Sequence, residues 1–217
     1  LKADIRIKKL APNGKYMALH INAGASDNHL NTSLSFSNNE RHPLKGIINA
    51  SSVFAKNEEG VSTAYIDILP SRATIGDTTW QVAPSTIVYS KNRLQVNGFS
   101  VSHDNQMLAI NGTATNNIDD SLVVTLNDID VSYVLNLVNF HSVDFYGMAS
   151  GEARVVGAFS EKPLLSADVI VKDFKFEKGR MGTLFANVGY NHDEGRIEID
   201  AVAKDYDNRW TDINGYV

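Results

Sequence analysis

Residues 145–159 have the sequence FYGMASGEARVVGAF, and this stretch decides the fold. A period of two is that of a β-strand, because alternate side chains of a strand point to opposite faces. The even-numbered positions include the charged residues Glu152 and Arg154. The odd-numbered positions are all small or apolar: Phe145, Gly147, Ala149, Gly151, Ala153, Val155, Gly157 and Phe159. The stretch therefore predicts one strand with an apolar face, much longer than the usual ~5–6 residues.

Similar alternating runs fill most of the chain, and turn-forming segments separate them. The turns predicted from composition cover residues 12–14, 56–60, 91–92, 104–105 and 191–195. The chain holds 21 asparagines and 15 glycines, which are residue types that tolerate the left-handed backbone of tight turns. Turn signals at short, regular spacing are typical of an all-β protein with hairpin-connected antiparallel strands.

One segment has a helical period instead. Val131, Val134, Leu135 and Val138 stand at i, i+3, i+4 and i+7, and Asp130 precedes them as a candidate N-cap. The pattern predicts one short helix over residues 130–138, which we expect at an end of the sheet.

Two architectures satisfy a period of two. One is a long antiparallel sheet curled into a groove, and the other is a closed β-sandwich. We expect residues 1–217 to form one continuous β-rich domain. A faint echo between the segments that begin at Phe36 and at Phe159 suggests sub-repeats 1–75 and 76–217. The chain starts at Leu1 without a methionine or a signal sequence, so we expect a fragment of a larger protein.

Composition excludes several classes of protein. The chain has no cysteine, so it has no disulfide framework, no thiolate nucleophile and no cysteine-based zinc site. The net charge of −5 and the absence of a basic block argue against nucleic acid as a partner. No run of 18 apolar residues occurs, so no segment has the pattern of a membrane-spanning helix.

Catalytic and cofactor motifs are also missing. Ser102, His103 and Asp104 are consecutive, and neighbouring strand residues point to opposite faces, so they do not form a proton relay. The six histidines lack the HxH and HExxH spacings, and no glycine-rich phosphate loop occurs. Trp80 and Trp210 favour core packing over sugar stacking. We therefore expect no catalytic residue, no metal, no cofactor and no enzyme activity. An enzyme acting on envelope glycans would need two carboxylates about 5–9 Å apart in a cleft.

The succession of strands resembles the C-terminal region of the TamB-like translocation and assembly module proteins, members of the AsmA-like repeating β-groove superfamily. The resemblance covers about residues 75–203. It lies in Gly, Pro and apolar spacing, and the asparagine-rich, hairpin-rich style resembles members from Bacteroidetes. The segments that carry it are residues 80–82, 92–96, 106–112, 122–126, 129–131, 151–157 and 163–164.

The resemblance implies a periplasmic module of an envelope protein that is anchored in the inner membrane by a helix outside this chain. It implies a curled sheet with an apolar inner surface that shields acyl chains during phospholipid transport to the outer membrane. It also implies a part in outer-membrane protein assembly with an Omp85-type partner. The alternative is a non-catalytic scaffold that binds the Omp85-type partner, or β-barrel strands, through a sheet edge.

The candidate groove residues follow from the small and apolar face of the long strand and from one later strand. Small residues on a strand face leave room for an acyl chain, although they also let a neighbouring sheet pack closely. The candidate set is Phe145, Ala149, Gly151, Ala153, Val155, Phe159, Ile197, Ile199 and Ala201.

Overall fold

The computed structural model describes residues 1–10, 16–38, 44–131, 144–191 and 194–216. The fold is all-β, as the alternating sequence predicts. The sixteen strands are β1 (Lys2–Leu10), β2 (Tyr16–Ser26), β3 (His29–Asn38), β4 (Leu44–Lys56), β5 (Ser62–Ile68), β6 (Ser71–Ile75), β7 (Thr78–Val82), β8 (Ser85–Ser90), β9 (Arg93–His103), β10 (Gln106–Ala114), β11 (Ser121–Asp130), β12 (Phe145–Val156), β13 (Leu164–Phe176), β14 (Gly179–Asn191), β15 (Arg196–Lys204) and β16 (Trp210–Tyr216).

All sixteen strands belong to one hydrogen-bonded sheet, whereas a β-sandwich has two. The main path runs β1-β2-β3-β4-β5-β8-β9-β10-β11-β12-β13-β14-β15-β16. Strand β6 continues the line of β5, because it pairs β4 just beyond the segment of β4 that pairs β5. In the same way β7 and β8 pair successive parts of β9. The connectivity is therefore a meander in which each strand or pair of half-strands follows its neighbour in sequence.

The two breaks inside these strands coincide with prolines. Pro70 separates β5 from β6, and Pro84 separates β7 from β8. Proline has no N–H to donate to a ladder, so it interrupts a central strand. At the first break the Ser71 hydroxyl replaces a backbone partner: it accepts from the Asn49 N–H at 2.9 Å and donates to the Leu69 carbonyl at 2.7 Å.

The chain divides into two compact units. Unit 1 comprises residues 1–104 and 110–113, and unit 2 comprises residues 105–109 and 114–217. In unit 1, the register places one set of apolar side chains on a single face of β2, β3, β4 and β5. The opposite face of β2 and β3 carries polar residues such as His20, Ser33 and Ser35.

Most of the turns predicted from sequence are confirmed. Strand pairs meet across residues 57–61, 91–92 and 104–105. Near the predicted turn 191–195, the Gly195 N–H donates to the Asn191 carbonyl at 2.9 Å, and the predicted turn 12–14 lies outside the described residues. Two predictions differ from the structure. The long strand ends at Val156 rather than at Phe159, because Gly157 turns the chain with a φ of 57°. Trp210, which the sequence predicts in the core, is 60% exposed on β16. The sub-repeats 1–75 and 76–217 stay a prediction.

The predicted helix falls mostly on residues 132–138, which lie outside the described residues. Asp130, its candidate N-cap, is the last residue of β11. Within the described ranges, no helix is long and apolar enough to cross a membrane.

Candidate functional site

The candidate site is one face of the sheet in unit 2, which we call the apolar face. Side chains of directly paired residues point to the same side of an antiparallel sheet. The registers of β12 to β15 therefore align apolar side chains in rows across the strands. The rows are Val155–Leu165, Ala153–Ala167–Val188–Ile199, Gly151–Val169–Ala186–Ala201 and Ala149–Val171–Leu184–Ala203.

Burial on the apolar face is uneven. Ala149, Val171, Phe174 and Ala203 form a buried cluster, with Leu184 among the side chains packed against it. Val171 on β13 and Ala203 on β15 belong to strands that are separated by β14. The buried cluster therefore spans strands β12 to β15.

At the other end of the apolar face, the side chains are less buried. Val155, Ala153 and Ala167 are only half-buried, as are Ile197 and Ile199 on β15. In the described part of unit 2, no second sheet lies across these side chains. The face therefore has a closed end at the buried cluster and an open end near Val155 and Ile197.

Seven of the nine sequence-predicted residues place a side chain on the apolar face. These are Phe145, Ala149, Ala153 and Val155 on β12 and Ile197, Ile199 and Ala201 on β15. A bulge at Gly147 shifts the register of β12 against β13, so Phe145 lies beyond the aligned rows. Its ring nevertheless packs against the buried cluster, with its centroid 6.0 Å from that of Phe174 and 5.5 Å from that of Phe176.

The other two predicted residues have different environments. Phe159 lies in the loop after β12, is 41% exposed, and donates its backbone N–H to the Thr115 carbonyl at 3.0 Å. Gly151 is within β12, but its missing side chain leaves no space in the face. A Cβ at this position would meet the Asp168 carbonyl oxygen and approach the Val169 Cα to 2.8 Å. The backbone of β13 therefore fills the room that the sequence suggested for an acyl chain.

The opposite face of unit 2 is polar except for one row, Ile170–Phe185–Val202, in which Ile170 and Phe185 are each 43% exposed. One row aligns Glu152, Asp168, Asn187, Asp200 and Asn214 across β12 to β16. The Asn187 amide donates to Asp168 Oδ1 at 2.6 Å, so it stands between the carboxylates of Asp168 and Asp200. These acids lie on the open surface of a sheet, and the described residues hold no group of three metal-ligating side chains.

Sequence reasoning missed a second apolar face, in unit 1. Leu19, Ile21, Leu34, Phe36 and Ile48 are paired on one side of β2, β3 and β4. All five side chains are half-buried. The signal was present as period-two alternation within β2 and β3, as in Leu19-His20-Ile21 and Leu34-Ser35-Phe36.

The Ser102–His103–Asp104 segment has no triad geometry. His103 Nδ1 lies 3.0 Å from the Thr79 carbonyl oxygen, and its Nε2 lies 3.2 Å from Asp104 Oδ2. The ring also packs against Trp80, with centroids 5.9 Å apart. Because both nitrogens are engaged elsewhere, neither is placed to accept a proton from Ser102.

The shifted titratable groups stabilise turns and edges. The backbone N–H of Arg209 donates to Asp205 at 2.9 Å and holds the pKa of that carboxyl below its usual value, although desolvation opposes it. The Asp173 carboxylate accepts from the Tyr206 hydroxyl at 2.6 Å and raises the pKa of that phenol. The Asn191 amide and the Arg196 guanidinium lower the pKa of Glu198. Asp205 and Tyr206 follow the last residue of β15, whereas Glu198 lies within β15 between Ile197 and Ile199 and points to the opposite face of the sheet.

Comparison with known proteins gives no relative: no protein-family model, curated protein or solved structure matches this chain.

Proposed function

We propose that this chain is a β-groove module that shields lipid acyl chains on the apolar face of unit 2. The observation that carries the proposal is the row structure of β12 to β15, which places apolar side chains on one face and leaves many of them half-exposed. Apolar area of this extent requires a cover, either from the protein or from a ligand.

An acyl chain suits this surface better than a polar ligand does. Most side chains of the open end are aliphatic or small, as at Val155, Ala167 and Ile199. Tyr190, which lies directly opposite Ile197, adds a hydroxyl to this end, but the aliphatic side chains offer no hydrogen-bond donor or acceptor that would fix the orientation of a polar molecule. Each CH₂ group that leaves water gains about 0.8 kcal/mol, so a long chain gains affinity without directional chemistry.

The wider setting is also part of the proposal. The resemblance to TamB-like proteins supports a periplasmic location, an inner-membrane anchor outside this chain and transport of phospholipid to the outer membrane. The meander supports the same assignment, because it extends one sheet from sequential strands. We propose no catalytic step.

Photocrosslinking tests the occupant directly. A photoreactive side chain is placed at Ile199 on the apolar face, and a matched one is placed at the neighbouring Asp200 on the polar face. We expect a phospholipid adduct from bacterial cells at position 199 and little or none at position 200. Equal adducts at the two positions, or none at position 199, would contradict the proposal.

A second candidate function is a scaffold that binds an Omp85-type partner or a β-barrel strand through a sheet edge. The observation that favours it is β16, which pairs only β15 among the described strands and whose seven residues are all exposed. This function predicts binding of strand peptides that is insensitive to charges on the apolar face. Lipid shielding predicts lipid binding that is lost when a charge is placed on the apolar face.

A further inference from the structure

Two exposed aromatic side chains stand in one row of the sheet in unit 1. Phe54 on β4 is 47% exposed, and Tyr89 on β8 is 52% exposed. The register with β5 aligns Phe54, Ala64 and Tyr89 across the three strands. Because directly paired residues point to the same side of a sheet, the two aromatic side chains flank the methyl group of Ala64.

Each aromatic residue is followed two positions later by a lysine. The two segments are Phe54-Ala55-Lys56 and Tyr89-Ser90-Lys91. Strands β4 and β8 run in the same direction, because both pair antiparallel with β5. The two lysines therefore come at the same end of neighbouring strands. Ser62, the first residue of β5, lies between them, because it pairs with Lys56 and precedes the partner of Ser90.

A cavity of about 480 Å³ lies at this place. Its lining includes both members of each aromatic–lysine pair, together with Ser62 and Ala64, and none of its lining residues is acidic. In the part of the chain that the structure describes, neither Lys56 nor Lys91 forms an ion pair. Glu58 and Glu59 follow β4 in the next turn but do not line the cavity. The cavity thus joins an apolar part to a positively charged part.

We propose that this cavity binds a single-chain lipid with a phosphate monoester head group. The chain lies over Ala64 between the two aromatic side chains, and the phosphate lies over Ser62 between the two lysines. The row offers one gap, over Ala64, and therefore takes one chain.

The donors of the cavity match this head group. A phosphate monoester carries about −1.5 to −2 charges at pH 7 and has three strong acceptor oxygens. The ammonium groups of Lys56 and Lys91 and the hydroxyl of Ser62 provide three separate donors. A carboxylate head group would neutralise only one of the lysines, and a phosphocholine head group would bring a further cation towards them.

This site is separate from the lipid-shielding surface of the proposed function. All its residues belong to unit 1, whereas the apolar face lies in unit 2. The two surfaces also differ in chemistry, because the lysines here select a head group. Either site can therefore fail its test without the other.

Isothermal titration calorimetry with dodecyl phosphate, below its critical micelle concentration, tests the head group. The titration uses the full chain and is repeated in Ala167→Asp, whose charge opposes binding on the apolar face of unit 2. Lys56→Gln/Lys91→Gln should weaken binding by about tenfold or more, because charge-assisted hydrogen bonds are the strong ones. The matched control Lys45→Gln/Arg93→Gln removes the same charge from the opposite face of β4 and β9 and should leave the affinity unchanged. No binding to either parent chain, or equal weakening in the two double variants, would overturn the proposal.

The contact with the chain has its own variant and control. Tyr89→Ala should weaken the binding of dodecyl phosphate by about fivefold or more, because apolar contact area is lost. Tyr65→Ala, on the opposite face of β5, should have no effect. Equal effects of the two substitutions would contradict the placement of the chain.

Two further probes separate the parts of the ligand. Inorganic phosphate has the head group without a chain, and dodecanoate has an alkyl chain with a carboxylate. Each should bind at least about tenfold more weakly than dodecyl phosphate. Equal affinity for inorganic phosphate would indicate a simple anion site, and equal affinity for dodecanoate would indicate no preference for phosphate. Either result would overturn the proposal.

Discussion

The carbonyl oxygen of Asp168 occupies the space that a Cβ on residue 151 would need. Gly151 also has a φ of 152°, a backbone conformation that residues with a side chain rarely adopt. This close approach of β12 and β13 adjoins the buried cluster, which contains Ala149 and Val171. The glycine is therefore a packing requirement of the sheet.

Gly151→Ala should destabilise unit 2. The added methyl group forces β13 away, and overpacking of this kind costs about 1–3 kcal/mol. The control is Gly189→Ala on β14, where a Cβ would meet no atom within 4 Å. Urea denaturation should show a lower unfolding free energy for the first variant and little change for the second. Equal effects would show that residue 151 has no special contact.

Ser71→Ala should destabilise unit 1. Ser71 is buried, and the substitution leaves the Asn49 N–H without the acceptor that bridges the break at Pro70. An unsatisfied buried donor costs about 1–3 kcal/mol. Ser33→Ala, on the polar face of β3, should stay within about 0.5 kcal/mol of the wild type. A thermal or urea midpoint for Ser71→Ala that matches that of Ser33→Ala would contradict this role.

Glu152→Lys should stabilise the protein, because Glu152 lies directly opposite Asp168 and two carboxylates repel. Replacing the like-charge pair with an opposite-charge pair should raise the unfolding free energy by about 0.2–1 kcal/mol. The gain should shrink in 1 M salt, where charges are screened within roughly 3 Å. A gain that is insensitive to salt, or a loss at low salt, would mean that the carboxylates do not interact.

Asp205→Asn should remove part of the stability at neutral pH but little of it in acid. The backbone N–H of Arg209 lowers the pKa of Asp205 in the folded state. A carboxyl whose pKa is lowered by folding contributes stability above its unfolded pKa, near 3.9, and loses it as the pH falls through the folded pKa. The difference in unfolding free energy between wild type and variant should therefore be full at pH 6 and should shrink below about pH 4. A difference that is constant from pH 7 to pH 2 would contradict the assignment.

The sequence predicted the strands and most turns because both depend on local patterns. Period-two alternation identified β12, and turn residues located the hairpins at 91–92 and 104–105. The end of β12 was missed because Gly157 looks like another small residue of the apolar face. Only the structure shows that its N–H bonds to the Asp120 carbonyl and that the chain turns there.

The candidate site was partly predictable for a similar reason. Alternation places Ala153, Val155 and Ile199 on a face, but it does not show which strands are neighbours or where a backbone approaches. The role of Gly151 depends on the register of β12 against β13, and the polar row of Asp168 and Asp200 depends on three strand pairings. Such relationships are tertiary, so no local pattern contains them.

Native mass spectrometry tests the central claim of lipid shielding most directly. The chain is purified from bacterial cells without detergent, beside two variants at neighbouring positions of β13. Ala167→Asp puts a charge on the apolar face, and Ser166→Asp puts the same charge on the polar face. The proposal predicts a bound phospholipid mass in the wild type and in Ser166→Asp, and its loss in Ala167→Asp with unchanged β-sheet circular dichroism. A wild type that carries no lipid and takes up none when it is added, or lipid that persists in Ala167→Asp, would contradict it.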